Sequence, residues 1–251
     1  MKFLCLHGSG TNSSIMRSQT GIRCYDKWLE ARLLTITPGP LRHELGEDHE
    51  YEFVEATIRC APAKGVEALS SPGHDYYAFF DQDLATLETA IEQLDGYIST
   101  EGPFDAVLGF SAGCVLAAMY LLQKQRQGQA TPPPFRCAIF LSCAELRDEM
   151  TYLGVSPGAT TREPIRLPTA HIWGSRDTTA PNGGRDLSEI CDAAVRLRLI
   201  HDGGHEPPRG GRHLTDACHI IRRVLQLAKR TTAAQARMAS TAPLVAAMGS
   251  M

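Results

Sequence analysis

The 251-residue chain lacks the features that mark several protein classes. Its longest fully apolar run, residues 114–122, is much shorter than the roughly 20 residues of a membrane-spanning helix. The apolar stretch at the N-terminus is too short for a signal peptide. With 28 acidic and 25 basic side chains, neither nucleic acid nor an anionic membrane surface is an expected partner. We therefore expect a soluble, cytoplasmic protein.

Motifs for metal binding and for disulfide frameworks are missing as well. The eight cysteines are scattered, no two form a CxxC pair, and no group of cysteines and histidines has the spacing of a zinc site. Several cysteines lie in apolar runs such as FRCAIFLSC, where a thiol behaves as a small apolar group. The pattern favours reduced cysteines and no bound metal.

Strand-like and helix-like segments alternate along most of the chain. Short apolar or β-branched runs predict strands at 2–6, 51–58, 104–108, 136–143, 168–174 and 195–202. Apolar residues at helical spacing predict helices at 84–98, 112–127, 184–195 and 213–230. This alternation predicts an α/β fold with a mostly parallel central sheet and helices on both faces. We expect one domain over residues 1–230 and a disordered tail, rich in Ala, Thr and Ser, over 231–251.

The stretch LGFSAG places Ser111 in the pattern GxSxG, between a predicted strand and a predicted helix. The pattern alone is a weak signal, but a strand before it and a helix after it are the context of a nucleophile elbow. A side chain at Gly109 or Gly113 would collide with the neighbouring helix and strand, and the tight turn would strain the backbone of Ser111. The alternative is that Ser111 is only a small polar residue in a tight turn.

A serine nucleophile needs a base, and in this fold an acid and then a histidine follow the serine along the chain. Asp177 follows one predicted strand, and His205 follows the next, after two glycines. Asp202 is an alternative acid, but it shares the loop of His205. His201 is an alternative base, but it lies at the end of a strand, where a structural role is favoured.

An oxyanion hole requires two backbone N–H groups. Ala112, the residue after the proposed nucleophile, is predicted to supply one. The loop HGSG follows the first predicted strand, and Gly8 and Gly10 let its backbone approach the site, so Ser9 is predicted to supply the other. Taken alone, HGSG is also compatible with a plain glycine turn.

The stretches FLCLHGSGTNS, GPFDAVLGFSAG, PTAHIWGSRDTTAP and DGGHEPP together resemble the fungal family of serine hydrolases, which have the α/β-hydrolase fold. That family is also similar to an ovarian-cancer-associated serine hydrolase of animals. The resemblance covers most of residues 1–230 and implies that Ser111, Asp177 and His205 form the catalytic triad. It further implies a role in secondary metabolism, because some members release polyketides from their synthases. Ala112 stands where the family commonly has Gln.

These residues predict hydrolysis of a small-molecule ester or thioester through an acyl-enzyme. His205 takes the proton of Ser111, Asp177 orients His205, and water then releases the acyl group, so no metal or organic cofactor is required. If the substrate is a polyketide, an acyl carrier domain of its synthase is a further expected partner. The alternatives are a general short-chain carboxylesterase, an acyltransferase, and a hydrolase fold kept as a binding protein without turnover.

Two segments allow more than one interpretation. Residues 21–40 separate QT from LRHEL, which follow each other closely in the family that the chain resembles. We interpret 21–40 as a surface insertion or as translated intron sequence, and expect it to pack poorly and carry no catalytic residue. The aromatic residues Tyr76, Tyr77, Phe79 and Phe80 would either bind an acyl chain over the site or pack in the core.

Overall fold

A computed structural model of the chain describes residues 1–21, 41–46, 48–66, 73, 75–81, 83–128, 133–146, 164–208 and 210–240. The segment predicted as an insertion therefore lies outside the described residues, apart from Gly21. Residues 241–251 of the predicted tail also lie outside them.

Six strands form one sheet: β1 Lys2–Leu6, β2 Glu50–Val54, β5 Ala106–Ser111, β6 Cys137–Cys143, β7 Thr169–Gly174 and β8 Arg196–His201. Every neighbouring pair is parallel, and the order across the sheet is β2-β1-β5-β6-β7-β8. A separate antiparallel pair consists of β3 Ile58–Arg59 and β4 Tyr77–Ala78. The inner strands are almost fully buried because helices cover both faces, which confirms the predicted fold class.

The described helices divide between the two faces of the sheet. They are α1 Ser13–Thr20, α2 Leu41–Leu45, α3 Leu84–Glu101, α4 Ala112–Arg126, α5 Gly183–Glu189 and α6 Gly211–Ser240. Side chains of α3, α4 and α5 build one apolar core cluster, and those of α1, α2 and α6 build the cluster on the opposite face. In α4, residues 112–122 are all buried, because the helix lies between the sheet and α3. None of the helices in the described ranges is long and apolar enough to cross a membrane.

Two predicted helix ends are wrong. α6 continues to Ser240, so residues 231–240 are helical and not a disordered tail. The Ala, Gln, Arg and Met residues of this segment favour helix by propensity. α5 ends at Glu189, short of the predicted 195, because the chain turns there so that Ile190 and Asp192 pair with the backbone of Ile165.

His171 on β7 makes the stability of the fold depend on pH. The side chain is buried, and burial together with Arg198 and Arg196 lowers its pKa to about 3. In the unfolded chain the ring takes up a proton near pH 6.5, so the unfolded state binds more protons than the folded state below that pH. We expect the free energy of unfolding to fall by up to about 1.4 kcal/mol for each pH unit between about pH 6 and pH 4 through this residue.

Urea unfolding of His171→Gln at several pH values measures this contribution. The variant should show a shallower pH dependence than the unmodified protein over the same range. The exposed His43 on α2 offers a matched control, and His43→Gln should keep the original slope. An unchanged slope in His171→Gln would show that some other group is responsible.

Candidate active site

The predicted catalytic residues all lie at the carboxyl edge of the sheet. Ser111 is the last residue of β5, Asp177 follows β7, and His205 follows β8. Since parallel strands end at the same edge, the topology brings together three residues that are far apart in the sequence.

The three side chains form a continuous hydrogen-bonded chain. The Nε2 atom of His205 lies 2.9 Å from Ser111 Oγ, and its Nδ1 atom lies 2.6 Å from Asp177 Oδ2. The other oxygen of Asp177 accepts hydrogen bonds from the backbone N–H groups of Thr179 and Ala180, at 2.9 and 2.8 Å. The buried carboxylate is thus fixed on one side by the backbone and directed at the imidazole on the other.

The backbone around Ser111 is as tight as the GxSxG pattern predicts. Ser111 has φ 52° and ψ −118°, a conformation that side chains rarely adopt. A Cβ atom on Gly109 would lie 2.7 Å from the backbone nitrogen of Cys114, and one on Gly113 would lie 2.2 Å from the carbonyl oxygen of Leu6. Glycine is therefore required at both positions, and the turn presents the serine hydroxyl at the start of α4.

The HGSG loop packs directly against this turn. A Cβ atom on Gly8 would lie 3.0 Å from the Cβ atom of Ser111. The carbonyl oxygen of Gly8 accepts a hydrogen bond from the Thr11 hydroxyl at 2.6 Å, and the Nδ1 atom of His7 lies 2.8 Å from the same oxygen. Because this carbonyl and the N–H of Ser9 belong to one planar peptide group, these contacts also fix the direction of that N–H.

The alternative acid and base have other partners. His201 is buried, its Nδ1 atom accepts a hydrogen bond from the N–H of Gly203 at 3.1 Å, and burial lowers its pKa. Asp202 is exposed and pairs with Nε2 of His213 at 2.7 Å. These contacts are those of structural residues at the base of the loop that carries His205.

Two of the four aromatic residues predicted for the pocket lie in the core, and the other two are half-buried. Phe79 and Phe80 are each 8% exposed and belong to the core cluster that contains α3. The backbone N–H of Tyr77 donates to the carbonyl oxygen of Thr11 at 2.8 Å, so β4 holds the HGSG loop, and the Tyr76 carbonyl accepts a backbone hydrogen bond at 2.9 Å. This geometry favours core packing for the two phenylalanines and a backbone role for Tyr77.

The sequence analysis did not predict the hydrogen bonds that two backbone N–H groups donate to the carboxylate of Asp177. The run Asp-Thr-Thr-Ala-Pro carries the signal, since an aspartate that starts a turn accepts hydrogen bonds from N–H groups two and three residues later.

Within the described ranges, no three or more His, Cys, Asp or Glu side chains are grouped so that they could bind a metal ion.

Residues 1–217 match the family described as Serine hydrolase (FSH1). The chain belongs to the FSH1 serine hydrolase family. Esterase FPY3 of Fusarium mangiferae is 36% identical to it over 219 residues, which cover 83% of this chain and 89% of FPY3. Esterase alnB of Emericella nidulans is 34% identical over 279 residues, covering 83% of this chain and 90% of alnB. The resemblance to the fungal serine hydrolases is thus confirmed.

Solved structures agree on the fold of this FSH1 family member. The carboxylesterase of Bacillus cereus superposes with a TM-score of 0.54 at 13% identity, over 88% of this chain and 87% of that protein. The fold is that of the α/β-hydrolases. As a member of the FSH1 family, the protein is an enzyme, a serine hydrolase.

Proposed function

We propose that this FSH1 hydrolase cleaves an ester or thioester through an acyl-enzyme on Ser111. The observation that carries the proposal is the unbroken chain of contacts from Ser111 Oγ through His205 to Asp177, at 2.9 and 2.6 Å. Ser9 and Ala112 are the proposed N–H donors to the oxyanion. Ala112 follows Ser111 directly, and the Gly8 carbonyl contacts fix the peptide of Ser9.

In the proposed reaction His205 accepts the Ser111 proton while the serine oxygen attacks the substrate carbonyl. The carbonyl π bond opens to an oxyanion, which the two N–H groups stabilise. His205 then gives its proton to the leaving alcohol or thiol as the bond to that group breaks. A water molecule, deprotonated by His205, attacks the acyl-serine ester and releases the acid together with free Ser111.

For the biological substrate we infer an acyl group of the polyketide type, presented in the cytoplasm by an acyl carrier domain of a polyketide synthase. The resemblance to fungal hydrolases that release polyketides supports this acyl group. The two fungal relatives named esterases, FPY3 and alnB, support cleavage of an acyl bond but do not bear on the carrier domain. A thioester is favoured as the bond to be cleaved because a thiol leaves more readily than an alcohol.

A comparison of three substrates that share one acyl group tests this function. These are a p-nitrophenyl ester, an N-acetylcysteamine thioester and the same acyl chain on a purified carrier domain. We expect free acid from all three, with the highest kcat/KM for the carrier-bound thioester and a kcat for Ser111→Ala that is lower by about 10⁵-fold or more. Equal kcat/KM for the two thioesters would rule out carrier recognition. Product formation only with an added alcohol or amine would make the enzyme an acyltransferase.

A further inference from the structure

Ser142, the second-last residue of β6, shares an unusual backbone conformation with Ser111. Among the non-glycine residues of the described ranges, these two serines have a positive φ, 52° for Ser111 and 41° for Ser142. Glycine adopts such a conformation without steric cost, whereas a residue with a Cβ atom does not. A strained residue next to a proposed active site calls for a functional reason.

The pairing of β5 with β6 shows how Ser142 leaves the regular sheet. Phe110 pairs with Leu141, but Ser111 pairs with Cys143, so Ser142 is an extra residue in β6, a β-bulge. A bulge redirects the side chain of the extra residue away from the direction that the strand would give it. It lies beside Ser111, the proposed nucleophile, on the neighbouring strand.

The redirected hydroxyl reaches the loop that carries His205. Ser142 Oγ donates a hydrogen bond to the carbonyl oxygen of Glu206 at 3.1 Å, and the side chain is buried. Glu206 directly follows His205 in the chain. The contact therefore joins β6 to the loop after β8, across the intervening strand β7.

The residues before His205 are held by different contacts. The Arg176 N–H donates to the Gly203 carbonyl at 3.0 Å, and a Cβ atom on Gly174 would lie 2.2 Å from that carbonyl oxygen. These contacts anchor the loop on its N-terminal side. The hydroxyl of Ser142 anchors it on the other side, so the position of His205 is fixed from both directions.

We propose that Ser142 is a positioning residue that holds the imidazole of His205 between Ser111 and Asp177. The inference rests on the proposed function of these three residues. It also accounts for the strain, because glycine would fit the backbone but has no hydroxyl to donate. A displacement of about 1 Å at a reacting group lowers rates by about 100-fold, so loss of this anchor should act on kcat more than on KM.

Two variants of Ser142 distinguish the effect of losing the hydroxyl from the effect of relieving the backbone strain. Ser142→Gly removes both, and Ser142→Ala removes the hydroxyl but keeps the strained Cβ. With p-nitrophenyl butyrate as the probe, both should lower kcat by about ten-fold or more. KM should change by less than about two-fold. The melting temperature of Ser142→Gly should be at or above that of Ser142→Ala.

Ser188→Ala is the matched control. Ser188 is a buried serine on α5 whose hydroxyl donates to the Arg185 carbonyl at 2.7 Å, and its loss should leave kcat unchanged. Unchanged kcat in Ser142→Gly would overturn the proposal, as would a loss of kcat that follows melting temperature across the variants. An inactive unmodified protein would instead refute the proposed function, so the two failures are distinguishable.

Discussion

Replacing Ser111 by alanine is expected to lower kcat for ester hydrolysis by about 10⁵- to 10⁶-fold, the scale seen when a serine nucleophile is removed from a hydrolase. The variant keeps the Cβ atom and loses only the hydroxyl whose oxygen lies 2.9 Å from His205 Nε2. Without that oxygen no acyl-enzyme can form, and only the slower attack of water on the bound substrate remains. Steady-state hydrolysis of p-nitrophenyl butyrate measures the loss.

The fold of Ser111→Ala should remain intact, because alanine imposes the same backbone strain as serine at φ 52°. Its melting temperature should lie within a few degrees of that of the unmodified protein. Retention of more than about one per cent of kcat in a preparation free of contaminating esterase would contradict the role of Ser111.

Asp177→Asn is expected to lower kcat by about 10⁴-fold with little change in the fold. The backbone N–H groups of Thr179 and Ala180 donate to one side-chain oxygen of Asp177, and an asparagine would keep its oxygen there. Its amide NH2 would then point at His205 Nδ1, which lies 2.6 Å from the carboxylate. Nδ1 of the imidazole would then accept a hydrogen bond from this NH2 group, and the ring proton would lie on Nε2. With a proton already on Nε2, His205 could no longer take the proton of Ser111.

The control for this variant is Asp202→Asn. Asp202 is the alternative acid that the sequence analysis considered, but it is exposed and pairs with His213. Its replacement should change kcat by less than about three-fold, since exposed ion pairs contribute little. A comparable loss of kcat in the two variants would mean that the acid at the proposed site has been misassigned.

Much of the site could be predicted because its residues obey local rules. Gly109 and Gly113 have no room for a side chain, and the chain order of serine, acid and histidine places each after a strand that ends at the same edge. A buried parallel sheet also gives near-continuous apolar runs, so most strands were recognisable. These signals depend on neighbours in the sequence and on a regular topology.

Other features depend on contacts between distant parts of the chain. The bulge at Ser142 exists only in the register between β5 and β6, and its hydrogen bond to Glu206 spans 64 positions. An aromatic side chain can bind substrate or pack in a core, so the sequence does not distinguish these two roles for Phe79 and Phe80. Their packing in the cluster that contains α3 does distinguish them. The last ten residues of α6 follow helix propensity, which an analysis of apolar spacing does not detect.

Labelling with a fluorophosphonate probe, followed by peptide mapping, tests the central claim most directly. The folded protein should gain one probe adduct, on Ser111, and Ser111→Ala should gain none. His205→Ala should react far more slowly, because the serine would lose its base. Absence of labelling on the folded protein, an adduct on another residue, or equal labelling of Ser111→Ala would contradict the assignment of Ser111 as the nucleophile.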